Sequence, residues 1–138
     1  MTQNLNLSTG LVATGTPLAV RGYDLVSYTQ GNTPLTGKAE FAVVHQGATY
    51  YFANAANAEI FTADPSRYLP SFGGFCAYGA SVAKKFDGDP TIYKIADGRL
   101  HLNLNREIHA AFLADVPGAV AKADAAWVTI ADQPVASL

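Results

Sequence analysis

One thiol stands in a distinctive frame, Ser71-Phe72-Gly73-Gly74-Phe75-Cys76-Ala77-Tyr78-Gly79. Glycine lets backbone approach closely or take positive φ, and aromatic rings wall off pockets. Cys76 is the one cysteine of the sequence, so no internal disulfide forms. A buried thiol, a reactive thiol, a metal ligand and an intermolecular bridge are the readings left. A helix beginning near Ala77 would turn free N–H groups toward the sulfur and favour a thiolate. Lys84 or Lys85 would add positive charge if the chain folds back. A thiolate serves as nucleophile or as a soft metal ligand. The competing reading is an inert small hydrophobe, since free cysteine is among the most buried residue types.

The three histidines are His45, His101 and His109. His101 lies in a β-rich run, on the face opposite Leu100, Leu102 and Leu104, and either lines a pocket or meets solvent. His45 at a hairpin end is expected at the surface, and His109 in a helix is expected to be exposed or on an amphipathic face. Thiolate with imidazole suits copper or zinc, which makes Cys76 and His101 the candidate metal ligands. No two candidate ligands show a tight metal-type spacing, so the fold would have to assemble such a site. Asp24, between Tyr23 and Tyr28, reads first as a turn residue bonding its own backbone and second as a pocket carboxylate. No nucleophile elbow, phosphate loop or paired-carboxylate signature appears.

The elements that must position these groups are two hairpins and their helices. Phe41 to His45 and Ala48 to Phe52 flank Gln46-Gly47, and Thr91 to Ala96 and Leu100 to Leu104 flank Asp97-Gly98. Glycine at the second position of a two-residue turn signals a tight hairpin. Asn54 and Asn105 are N-caps for helices running to about Ala63 and Asp115, with Ala56, Asn57, Ile60 and Phe61 facing inward in the first. Pro65 opens a short second helix. After Pro117, Val116, Val120, Ala123 and Trp127 recur at helical spacing as one apolar stripe. The sequence shows no evident internal repeat. These elements predict an α+β domain in which the hairpins form a small antiparallel sheet. Residues 1–18 read as an N-terminal arm, 19–130 as the domain and 131–138 as a tail.

With 138 residues, the chain suffices for one domain with a real core. Net charge is −2, with no basic block, which argues against nucleic-acid binding. No apolar run approaches a membrane span. The polar start from Met1 to Gly10 lacks a secretory pattern. The expectation is a cytoplasmic protein, or a periplasmic or secreted one if a leader was removed. Charged residues make up only 14% against a usual quarter or so, which points to self-association as a homo-oligomer.

The order of motifs resembles the YHS domain family. Gly22-Tyr23-Asp24-Leu25-Val26-Ser27-Tyr28 precedes a Gly-x-x-Tyr-Tyr-Phe hairpin, and Phe61-x-x-Asp64-Pro65-x-x-Tyr68 closes the helix. The longer, stand-alone version adds the segment from Gly73 to Tyr78, Asp89-Pro90 and the hairpin from Asp97 to Asn103. The likeness runs from about Ala19 to Trp127. Short YHS domains are similar to metal-binding modules of heavy-metal transporters and multicomponent oxygenases, but their cysteines correspond to Ser27, Ala53 and Asn57 here. None of these supplies a thiolate. Family members usually hold Tyr where His101 stands, and stand-alone members often carry export signals. The resemblance and the residues together imply a binding or sensing protein that holds a copper or zinc ion, or a small ligand, around Cys76. Tyr23, Asp24, Phe75, Tyr78 and Lys84 are the expected pocket lining. The alternatives are a thiol-dependent enzyme or redox protein with Cys76 as nucleophile, and a protein-interaction module.

Overall fold

The computed structural model describes residues 4–31 and 33–138; the first three residues of the expected arm lie outside them. Contacts divide the chain into two compact units. One comprises residues 7–69, and the other residues 4–6 with Pro70–Leu138.

In the unit of residues 7–69, β1 (Lys38–His45) pairs antiparallel with β2 (Ala48–Phe52). Gln46 and Gly47 both take positive φ, 48° and 80°, as the tight turn of a twisted hairpin requires. α1 (Ala55–Ala63) follows, capped by the Asn54 side chain, which accepts from the Asn57 amide. Phe61 is fully buried, with its ring 5.2 Å from Tyr50 and 5.0 Å from Phe52. Burial of the Tyr50 phenol raises its pKa to about 12. Asn57 and Phe61, one turn apart, form the inward face of α1, whereas Ile60 and Ala56, expected inside, are exposed. A helix this short turns one narrow stripe inward, and Ile60 lies off it. Pro65 opens α2 (Pro65–Tyr68). Residues expected in the N-terminal arm take part in this unit, through a bridge between Leu7 and Ala19 and a bond from the Thr49 amide to the Pro17 carbonyl.

In the other unit, α3 (Ala77–Ser81) precedes β3 (Asp89–Ala96) and β4 (Arg99–Asn103), which pair antiparallel around Asp97-Gly98. α4 (Arg106–Ala114), capped by Asn105, and α5 (Val116–Ile130), capped by Asp115, follow. The apolar stripe of α5 packs as expected. Phe72, Ala77, Ala80, Phe112 and Ala123 form a buried cluster, with Val116, Val120 and Trp127 against it. Backbone contact is close here: a Cβ on Gly79 would sit 2.8 Å from the Phe86 ring.

The architecture is α+β, each hairpin followed by helices. Each hairpin is a two-stranded sheet of its own, where the sequence had suggested one small sheet. The structure also overturns the absence of a repeat. One constant interval carries β1 onto β3, β2 onto β4 and α1 onto α4, bounds included. The irregularity between Lys38 and Ala42 recurs between Asp89 and Tyr93. Asn54 (φ −157°) matches Asn105 (φ −158°), and Asp64 (ψ 73°) matches Asp115 (ψ 78°). Few side chains are retained, namely Gly47, Asn54, Phe61, Ala63 and Asp64 against Gly98, Asn105, Phe112, Ala114 and Asp115. These are the turn, the cap, the core ring and the helix stop, the positions where backbone geometry restricts the residue.

Candidate functional site

Cys76 is fully buried. It is the N-cap of α3, its Sγ accepting from the Gly79 amide at 3.4 Å and standing 3.8 Å from Asn103 Nδ2. The helix starts where the sequence placed it, but the sulfur is enclosed instead of lying in an open recess. Asn103, also buried, donates to the Leu102 carbonyl, and its Oδ1 lies 2.6 Å from His109 Nδ1. Lys84 is exposed. Lys85 is buried, and its ammonium donates to the carbonyls of Ala131 and Gln133 at 2.8 and 2.6 Å beneath the rings of Phe75 and Trp127. That cation is therefore spent on tying down the end of α5. Burial lowers its pKa, an effect that nearby Asp132 opposes.

Asp24 belongs to the other unit. Its Oδ1 accepts from the Val26 and Ser27 amides, and its Oδ2 accepts from the Ala53 amide and Asn57 Nδ2. Each of its oxygens is thus occupied by the fold, the turn role favoured from sequence. Tyr23 is half-buried and bridges Thr36 through its backbone. Phe75 is buried against Trp127, and Tyr78 packs on the α3–α5 core.

A cavity lies apart from the thiol, between the β3–β4 hairpin and α5. Its volume is about 540 Å³, and it is bounded by Lys94, Asp97, Arg99 and His101 on the hairpin, and by Val116, Pro117, Val120, Ala121 and Asp124 on α5. None of Tyr23, Asp24, Phe75, Cys76, Tyr78 or Lys84 lines it. Of the candidate site residues named from sequence, His101 alone lines it. Arg99 reaches Asp124 with two parallel bonds of 3.0 Å, and its guanidinium lies over Phe72. Arg99, Asp124 and Ser71 were missed. Arg99 and Asp124 meet only across the fold, so no local motif announces them.

His101 is 1% exposed. Its ring lies stacked on Phe72 at 6.2 Å and tilted on Phe112 at 5.7 Å. Nδ1 is 2.7 Å from the Ser71 hydroxyl. Among the described residues no group bonds Nε2, and every fully buried side-chain nitrogen or oxygen there has a partner. Nε2 is therefore not fully enclosed, and His101 is one of the residues that line the cavity. Desolvation, helped by Arg99 and opposed by Asp124 and Asp97, lowers the imidazole to about 4, so it is neutral at physiological pH. Chemically, the lining combines the apolar Val116, Pro117 and Val120, the Arg99–Asp124 pair, the charges of Lys94 and Asp97, and a neutral imidazole.

Among the described residues no group of three or more His, Cys, Asp or Glu side chains is arranged to hold a metal ion, and no helix is long and apolar enough to cross a membrane. No family model matches the chain, and neither a curated protein nor a solved structure shows detectable similarity to it.

Proposed function

We propose that this chain is a non-enzymatic binding or sensing protein whose small ligand occupies the cavity between the second hairpin and α5. The observation that carries this reading is His101, a buried imidazole that lines the cavity, with Nδ1 fixed by Ser71 and Nε2 not fully enclosed. A pocket of this size with few convergent polar groups is the usual form of a small-molecule site. The family reading that accompanies it is a YHS-like domain, resting on the order of the sequence motifs. In this reading Cys76 is a capping and packing residue, consistent with its burial. The thiol-nucleophile alternative has no observation behind it.

The test is a small-molecule screen by thermal shift on the wild type and on Val120→Trp, which fills the cavity. Compounds that raise the melting temperature of the wild type and leave the variant unmoved support the proposal. Hits that stabilise both proteins equally refute it. A parallel titration with zinc and copper(I), followed by native mass spectrometry, addresses the metal reading. Metal retained by the wild type and lost by Cys76→Ser would return the site to the thiol.

A further inference from the structure

Resting on the cavity as a ligand site, we infer that its ligand is an uncharged, largely apolar molecule presenting a hydroxyl group to His101 Nε2. Three observations lead there. The formal charges on the lining sum to zero: Arg99 and Asp124 are paired with each other, and Lys94 and Asp97 carry opposite signs. The lining carries no excess charge of either sign to offset the desolvation of an ionic ligand, and burying an unpaired charge is expensive. The α5 wall, with Val116, Pro117 and Val120, rewards apolar surface at roughly 25 cal/mol per Å².

The third observation concerns the polar tip. The Ser71 hydroxyl is able either to donate to Nδ1 or to accept from it. The first case makes Nε2 a donor and the second makes it an acceptor. A carbonyl satisfies only the first and an ammonium only the second. A hydroxyl satisfies both, because Ser71 and the ligand rotate their protons together around a neutral ring. The imidazole is therefore matched to a group of the same kind as the serine that fixes it.

Three probes of one shape test this: 2-naphthol, 2-naphthoate and 2-naphthylmethylammonium. Each is titrated into the wild-type chain at pH 7 while the ¹⁵N resonances of the His101 ring are followed. The expected result is that 2-naphthol binds at least about tenfold more tightly than either ion, the worth of one well-made hydrogen bond without a buried charge, and shifts Nε2. Equal or tighter binding of an ion, with the His101 ring shifting, overturns the ligand class and leaves the cavity as a binding site. Probes that bind without moving the His101 resonances, or that do not bind, overturn both. His101→Gln, which keeps a polar tip, is expected to retain part of the preference for 2-naphthol, and His101→Leu to lose it.

Discussion

At the scale of the residue, His101 has a consequence measurable without any ligand. Burial, the largest cause, holds its pKa at about 4 against the ordinary 6.5. Between those values the unfolded chain takes up a proton that the folded chain refuses. Stability is therefore full above about pH 6.5, falls as pH drops through the window, and levels off below about 4. A shift of this size corresponds to about 3 kcal/mol at most. His109 is lowered too, by burial first and then by Arg106 and Lys94, and contributes in the same direction. Urea unfolding of wild type and His101→Gln between pH 4 and 7.5 isolates the His101 share. The variant is expected to show a shallower slope, and parallel slopes would place the effect elsewhere. Cys76 gives a second expectation. With its sulfur sealed beneath α3, iodoacetamide should label it slowly in the native protein and rapidly in denaturant, and equal rates would contradict the burial. Neither environment is written near the residue in sequence. Alternation along β4 left the His101 face to a pocket or to water, and His101 does line a cavity. The alternation did not foretell the rings of Phe72 and Phe112 packed against the imidazole from outside the strand.

At the scale of the element, local chemistry was decisive and therefore legible. Asn54 and Asn105 each accept from the amide three residues on, at 2.8 and 2.9 Å, so the helix starts were readable from the cap residue alone. Replacing either by Ala should cost about 1 kcal/mol, read as a shift of the denaturant midpoint. Gly98 has φ of +75° in its turn; Gly98→Ala should cost about 1–2 kcal/mol from the left-handed conformation, with no loss of contacts. The end of α5 was less legible. Lys85 looked like a charge available to the thiol, yet it bonds carbonyls released where the helix ends. Nothing in the spacing of Lys85 from Ala131 foretells this, because the contact depends on α3 and α5 lying side by side. Lys85→Met keeps the stem and removes the donors. It should destabilise the protein by about 1–3 kcal/mol and speed amide exchange around residues 131–133, while protection in β4 changes little.

At the scale of the whole molecule, composition and fold class were legible and the site was only half so. An α+β chain with two hairpins follows from turn dipeptides and periodicity, since these are encoded within a few residues of one another. Low charge content bears on association in a way that solution conditions expose. The sequence pI is about 5.8, so self-repulsion is weakest there, and light scattering should report the largest particles near that pH and smaller ones at pH 8. A scattering signal flat across this range would remove charge as the control. The repeat was hidden for a physical reason. The turn, the cap, the buried ring and the stop are restricted by geometry, whereas even buried matched positions differ between the two copies, as at Tyr50 and His101 or Phe52 and Asn103. A search for Asn followed seven residues later by Phe-x-Ala-Asp would have found it, at Asn54 with Phe61 and at Asn105 with Phe112.

The same frame built twice in one polypeptide makes the molecule its own control. Asn54 and Asn105 cap the helix that follows each hairpin with the same side-chain bond, to the amide three residues on. Any substitution made at a matched pair of positions is read twice under identical solvent, temperature and expression history. What the two readings share belongs to the motif, and the remainder measures what each set of surroundings has added.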